Sequence, residues 1–540
     1  MSTIQRVFTV DGQPFYPLGG QARNSSGYSL EEAERAFQVV AEHLGGNTVE
    51  IPVYWDQVEP EEGRFEWGSV YDLLTLAGQY KVKLVLLWFA TWKNGDMDYA
   101  PAWVKQDPAR FPRVVSPTGK AIWSLSPHAE ATLAADRAAF SALCEFLRDH
   151  DKGRAVIGLQ IENEPGTLGS PRDYGPAGEA AYRDEVPAEL IERLRAAEGG
   201  RVHSLWQAAG GREGGDWETL FGREGGECLT AWTIARYIDR IAEAGKAIYP
   251  LPMYVNVWLG EVEWSVPGDS YPSGGAVSKV LDIYRWAAPH VDLIAPDIYP
   301  QDPFGFRRLC ETYSRPDNPF LVPESPTGGA NAWNVFRAIA EHDAIGYACF
   351  GVENMLDDEG ALRPEAEQLA GSWRAAAAAI PLILRYQGTP RIHAVAQDEY
   401  MGFQRLDLDG YTGLAQFGDA EVTHANKDWR HRGARPLGSI GGPEVRGRGL
   451  VFQTSEHEFY VVGGGFRLLL RRVTSPEEAM DTTVTKPWLQ PRSTNYVRVE
   501  EGYFDAEGVF CPTRRRNGDE TDFGIWVEPD VGVVRAVLCE

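Results

Sequence analysis

Through the first 380 residues, short continuous apolar runs alternate with stretches whose apolar positions recur every three or four residues. The continuous runs at 15–20, 48–53, 83–89, 156–162, 251–258, 291–299, 319–325 and 344–351 predict eight strands. Helical periodicity falls near 30–44, 68–80, 129–149, 228–248, 276–289, 304–314, 332–342 and 363–380. A strand apolar throughout is buried on both faces, and helices between such strands imply a parallel sheet. Eight such units predict a closed (β/α)8 TIM barrel of the α/β class rather than an open doubly wound sheet. An open dinucleotide-binding sheet would also want G-x-G-x-x-G after its first strand, a spacing that Leu18-Gly19-Gly20-Gln21-Ala22 lacks.

After about residue 385 the helical period disappears. Short alternating runs such as Arg391–Gln397, Gly449–Glu456 and Tyr496–Phe504 follow, separated by Gly, Pro and Asp turns, and predict a β-sandwich. The reading divides the chain into a barrel over 1–385 and a β-sandwich accessory domain over 386–540. Two connections, 90–128 and 165–227, far exceed the usual few residues. Both follow a strand, so both emerge on the face where barrel enzymes keep their sites. They are expected to wall a closed pocket, with Trp92, Trp206, Trp217, Trp258 and Trp264 as stacking faces. Alternatively, 165–227 reaches a second copy of the chain in a homo-oligomer.

Composition changes this picture mainly by exclusion. Over 540 residues, 43% hydrophobic and 24% charged usage describes an ordinary globular chain with room for a large core. The formal charge of −25 would repel a phosphate backbone or an anionic bilayer, and no run of 18 apolar residues occurs, so neither nucleic acid nor membrane is an expected partner. The start, MSTIQRVFTVDGQPF, lacks a basic segment followed by an apolar one, which points to a cytoplasmic protein. Six cysteines without C-x-x-C or zinc-like spacing read as packing residues, Cys144 and Cys349 clearly so. The 17 Trp, 22 Tyr and 22 Phe fit a large core or sugar-stacking surfaces.

No H-E-x-x-H, G-x-x-x-x-G-K-[ST] or G-x-S-x-G motif is present, and the histidines show no i, i+4 pairing in a helix. What remains is carboxylates at strand ends. The fourth strand finishes Gln160-Ile161-Glu162-Asn163-Glu164-Pro165, the sixth Pro296-Asp297-Ile298-Tyr299, and the seventh Val322-Pro323-Glu324-Ser325. Charge at the end of an apolar parallel strand is costly unless it faces the open barrel mouth. Two carboxyl groups about 5–5.5 Å apart there could act as nucleophile and acid/base on a glycosidic bond, whereas wider spacing would give inversion.

These segments carry a resemblance. Ile161-Glu162-Asn163-Glu164-Pro165-Gly166 with Leu321-Val322-Pro323-Glu324-Ser325 resembles clan A glycoside hydrolases. With Leu44–Trp67, Val85–Gly95 and Ala100–Val104, the chain is similar, over about residues 10–380, to the β-galactosidases of families 35 and 42. The resemblance implies a retaining exo-β-glycosidase acting on an oligosaccharide or glycoside, with no metal or organic cofactor. Glu164 would be the acid/base, Glu324 the nucleophile, Asn163 a ligand of the sugar 2-hydroxyl, and Tyr299 the residue orienting the nucleophile. Glu162 is expected to support Glu164 from the same face of the strand, and Glu59 to fix a loop. Asn24, Trp92, Asn94 and Trp258 are expected to line the sugar pocket. The chain departs from the family in Phe89-Ala90-Thr91-Trp92-Lys93-Asn94-Gly95 and in lacking a tryptophan in Cys349-Phe350-Gly351-Val352-Glu353-Asn354. A β-glucosidase, β-mannosidase or α-arabinosidase, or an inactive carbohydrate-binding barrel, are the alternatives.

Overall fold

The computed structural model describes residues 7–197, 199–262, 264–398, 401–417, 446–473, 495–521 and 524–539. The stretch read for a leader therefore lies partly outside the described residues. Seven parallel strands form one sheet in the spatial order sixth, fifth, fourth, third, second, first, eighth. They are Leu18–Gln21, Thr48–Tyr54, Lys83–Lys93, Val156–Asn163, Met253–Val257, Leu293–Pro296 and, eighth, Tyr347–Phe350. The seventh segment, 319–325, closes the ring through bridges from Glu324 to Asp297 and from Val322 to Tyr347. Backbone bonds from Ile298 N to Glu324 O (2.9 Å) and from Ala348 N to Val322 O (2.9 Å) stitch the two sides. The architecture is the TIM barrel read from the pattern.

The helices stand close to their predicted places because local signals fix them. Ser29 caps Leu30–Gln38 by accepting from the Glu32 backbone N–H, and Glu31 and Glu32 face the positive end of the helix. Asp302 caps Pro303–Tyr313, with proline at the first position where its missing donor costs nothing. Inside the barrel, Val85, Leu87, Phe89, Ile157, Tyr254, Leu293, Ala295, Leu321 and Ile345 form one cluster. A hairpin of Phe8–Val10 and Gln13–Phe15, absent from the sequence reading, adds Phe8, Val10 and Phe15 and plugs the end opposite the mouth.

Both long connections carry structure of their own. The first holds the antiparallel strands Arg113–Val115 and Ala121–Leu125. The second holds the helices Pro176–Arg183, Ala188–Ala196, Arg201–Ala208 and Trp217–Phe221. A third long connection, 258–280, follows the fifth strand; the sequence reading leaves 259–275 between strand and helix without singling it out. Thr167 and Ser273 exchange backbone bonds of 2.9 Å, and Gly169 N donates to Gly268 O at 2.7 Å, so the fourth and fifth connections are laced together. Gly268 has φ +78°, and a Cβ there would lie 2.3 Å from the Ser170 carbonyl, so only glycine fits.

The C-terminal part is two antiparallel sheets of six and four strands. In the larger sheet, the strands Ile392–Ala396, Arg448–Ser455 and Glu458–Gly464 are buried on both faces by simple alternation. Val395, Val451, Phe459 and Val461 face the smaller sheet. Ala394, Ala396, Leu450, Phe452, Tyr460 and Val462 join the core shared with the barrel helices. Helices Asn331–Glu341 and Glu367–Ala378 supply Trp333, Phe336, Leu369 and Trp373 to that seam. Arg448 Nε donates to Ser372 Oγ at 2.7 Å, and Arg337 Nη2 to Ala396 O at 3.2 Å, two hydrogen bonds that cross the seam.

Candidate active site

Glu164 and Asp297 follow the ends of the fourth and sixth strands, and Glu324 closes the seventh. One carboxylate oxygen of each lies within 4.8 Å of the other two. Glu164 and Asp297 are buried, Glu324 half-buried. Asn94, after the third strand, donates Nδ2 to Glu164 Oε2 at 2.6 Å, and Lys93 donates to the same Asn94 through its amide oxygen. Asn256 on the fifth strand accepts from Glu164 N (2.8 Å) and donates to Asp297 Oδ2 (2.8 Å), spanning two of the carboxyl groups. Tyr299 donates its phenol to Glu324 Oε1 at 2.5 Å.

Crowding of like charge in a dry site sets the protonation order. Burial, then the Glu324 carboxylate, pushes Glu164 up to about 7, against the opposing pull of Lys93 and Asn94. Asp297 is raised well above the usual carboxylate range by burial and by the neighbouring Glu324 and Glu164. Glu324 is also raised by burial, but the Tyr299 phenol, Lys93 and Gln21 favour its ionised form. Beneath it, Glu50 on the second strand is pushed up to about 8 by burial and accepts from Tyr254 at 3.0 Å. The three converging carboxyl groups could in principle hold a cation. Three of their oxygens are instead bonded to Asn94, Asn256 and Tyr299, while Asp297 Oδ1 has no partner.

Asn163 sits between these groups with its side chain buried, and neither its amide oxygen nor its nitrogen has a hydrogen-bond partner. Gln160, three residues earlier on the same strand, leaves its Oε1 equally unpartnered. Buried polar atoms without partners are rare in folded proteins.

The other sequence expectations separate. Glu162 does not back Glu164 from the same face. Both residues are left-handed, at φ +59° and +46°, and this breaks the two-residue alternation on which that expectation rested. The Glu162 carboxylate accepts from Trp92 N at 2.8 Å and faces Asp136 on the helix Glu130–His150, behind the barrel wall. Burial and Asp136 raise its pKa strongly. Trp92 does not line the pocket either: it shares the outward face with Trp88 and Ala90, donates its indole to Leu125 O at 3.3 Å, and packs on Tyr237. Trp206 and Trp217 are likewise core residues, whereas Trp264 stands 89% exposed. Trp258 is half-buried against the main core. Asn24 is half-buried, and its main-chain carbonyl accepts from Tyr54 Oη at 2.6 Å. Glu59 is spent on Trp55 Nε1 (2.9 Å) and Gly63 N (2.7 Å), as a loop anchor should be.

Sequence reasoning missed Glu50, Lys93 and Asn256 and gave Asp297 no role. A signal existed for two of them: Glu50 and Asn256 are single polar residues inside otherwise apolar strands.

Known proteins give partial matches. Residues 369–528 match a family described as a domain of unknown function (DUF5597). A β-galactosidase of Xanthomonas manihotis is 26% identical over 187 residues, which is 32% of this chain and 28% of that protein. The chain thus spans less than a third of that relative's length. Among solved structures, the β-amylase catalytic domain of Paenibacillus polymyxa is 11% identical with a TM-score of 0.48, over 66% of this chain and 96% of that one. The family 42 β-galactosidase Gan42B of G. stearothermophilus is 14% identical with a TM-score of 0.47, over 69% and 58%. The chain therefore resembles β-galactosidases in a limited stretch of sequence, and its last third is similar to a family whose role has not been described.

Proposed function

We propose that this protein is a retaining exo-β-glycosidase whose substrates carry a terminal β-galactose. The observation that carries the reading is the meeting of Glu164 and Glu324 within 4.8 Å at the barrel mouth. So close an approach favours the arrangement of retaining enzymes, whose carboxyl groups stand about 5–5.5 Å apart, over the wider spacing that an inverting enzyme needs for its water. Glu324 Oε attacks the anomeric carbon while the bond to the leaving oxygen breaks and Glu164 gives that oxygen its proton. Glu164, now a carboxylate, then takes a proton from water as the water oxygen displaces Glu324 and frees the sugar. Tyr299 holds the nucleophile, and the unpartnered amide of Asn163 is available to the 2-hydroxyl. The protonation order supports these roles, with Glu164 raised to about 7 as the acid. In this reading residues 1–385 are catalytic and 386–540 support the barrel through the shared seam. The long connections, tied to each other beside Glu164, favour a pocket for a terminal sugar over an open groove.

The test is hydrolysis of aryl β-galactosides followed by NMR of the first-formed anomer. Retention is expected, with Glu324→Gly silent until azide is added. An inverted first product would sink the mechanism. Turnover confined to β-glucosides, β-mannosides or α-arabinosides would keep the mechanism and replace the sugar.

A further inference from the structure

A block of aromatic rings at the mouth has no place in the carboxyl chemistry just described. Tyr28 lies on the short turn after the first strand, Tyr54 ends the second strand, and Tyr99 lies beyond the third. Their rings are nearly parallel. Tyr28 and Tyr54 stack at 4.0 Å and 17°, Tyr54 and Tyr99 at 5.1 Å and 22°, and Tyr28 and Tyr99 at 6.5 Å and 26°. The three centroids form a triangle with Tyr54 buried at its corner, while Tyr28 is 47% exposed. The block is continuous with the site. Phe89 packs against Tyr99 at 5.2 Å, Lys93 Nζ stands 5.5 Å from the Phe89 ring, and Lys93 binds the Asn94 that binds Glu164.

The rings are held, not merely adjacent. The Tyr54 phenol donates to Asn24 O and accepts from Gly27 N at 3.0 Å. A Cβ on Gly27 would lie 2.5 Å from the Pro52 carbonyl and 2.7 Å from the Tyr54 ring, so the turn closes onto the ring only with glycine. The Tyr28 phenol donates to Asp56, 3.1 and 3.2 Å from its two oxygens, and Asp56 N is bonded to Tyr99 O. A core would cover its last ring. This one is fixed at both ends and leaves Tyr28 open at the rim.

The position says what it serves. The leaving group departs past the acid, and the block begins at the residues that hold Glu164. Pyranose rings present patches of C–H that pack flat on aromatic faces, while a neighbouring carboxylate accepts from their hydroxyls. We propose that Tyr28 and Tyr99, with Asp56 beside them, form the leaving-group subsite and that its occupant is a second pyranose, so that disaccharides and longer glycosides are preferred. This rests on the glycosidase reading above.

A substrate whose leaving group is too small to reach the block separates the two ideas. Kinetics of Tyr28→Ala and Tyr28→Phe are compared with the native enzyme on a β-galactosyl disaccharide, an aryl β-galactoside and β-galactosyl fluoride. Tyr28→Ala is expected to lower the ratio of disaccharide to fluoride kcat/KM at least tenfold, mainly through KM, and Tyr28→Phe to keep most of it. An unchanged ratio overturns the subsite. A loss on the aryl glycoside without one on the disaccharide overturns the sugar occupant. If the native enzyme hydrolyses the fluoride but the ratio holds, only the subsite falls. If it hydrolyses none of the three, the glycosidase reading falls and takes the subsite with it. Thermal melting of each variant verifies that the barrel is folded.

Discussion

In the C-terminal sandwich, buried charge meets its opposite. Arg516 donates to Glu501 Oε1 at 2.9 Å and to Trp526 O at 2.7 Å, its guanidinium lies 3.8 Å over the Trp526 ring, and Arg514 adds a second cation to Glu501. At the barrel mouth, two buried carboxyl groups and a half-buried one meet, and the amide beside them bonds to nothing. One region sets its buried cations against carboxylates. The other accumulates like charge and open hydrogen-bonding capacity, which stabilise nothing until a ligand or a proton arrives. Sites built for chemistry depart from good folding practice in this way.

The sharpest break in the comparison comes from deleting a charge on each side. Glu324→Gly is expected to cut kcat by about 10⁴-fold or more while the melting temperature holds or rises, because it relieves like-charge crowding. Arg516→Met should do the reverse, leaving Glu501 and the Trp526 carbonyl short of a donor. It is expected to cost about 3–5 kcal/mol of stability and leave the specific activity of the folded fraction unchanged. Denaturation curves beside initial rates decide it. A sandwich variant that lost activity without losing stability would contradict the supporting role.

Burial of acid in the barrel also fixes how stability responds to pH. Glu50 has its folded pKa raised to about 8 by burial, so the folded state holds a proton that the unfolded chain releases near 4.5. Its contribution is complete below the unfolded pKa and is lost as pH rises through the folded one, a total of roughly 5 kcal/mol. Asp297, Glu162 and Glu164 add the same sign. The protein is expected to lose stability between pH 5 and 9, and Glu50→Gln to flatten that slope. Melting curves across this range would refute the assignment if both slopes were equal.

The contrast also accounts for what could be read from the chain. Continuous apolar runs and caps such as Ser29 and Asp302 are local, so the barrel strands and most helices could be placed to within a few residues. Glu164 and Glu324 were visible because charge at the end of an apolar strand is anomalous. The pairing of Asn256 with Asp297, or of Glu162 with Asp136, exists only once the ring has closed, across 41 residues in the first case. The left-handed residues Glu162 and Glu164 have no glycine at or between them to announce the turn, so the side chains they redirect could not be followed. Trp92, Trp206 and Trp217 were misplaced because an aromatic near a strand end looks the same whether it faces a cleft or a helix.

A smaller effect tests the proton rather than the charge. With Glu164 raised to about 7, its acid form is present below that pH and lost above it, so kcat/KM should fall along an alkaline limb near 7. Glu164→Gln can neither donate nor titrate. It is expected to remove that limb and to lower kcat/KM by about 10²–10⁴-fold on poor leaving groups, and by much less on activated aryl ones. A limb that survives the substitution would put the acid elsewhere, with Asp297 the next group to replace.

The finest probe is Asn163, whose side chain has no internal bond to lose. An ordinary buried amide costs stability when truncated, because its partners are left unpaired. Asn163→Ala should therefore change stability by less than about 1 kcal/mol. If its amide serves a sugar hydroxyl whose bond strengthens in the transition state, the same change should lower kcat/KM by roughly 10- to 100-fold, in line with a hydrogen bond to a charged species. A 2-deoxy substrate completes the cycle. The native enzyme should lose a similar factor on it, and the variant almost nothing further, since the contact is already gone. If the two losses multiply instead, Asn163 and the 2-hydroxyl act independently. The unpartnered amide would then belong to a different hydroxyl of the same ring, which the remaining monodeoxy sugars would identify one at a time.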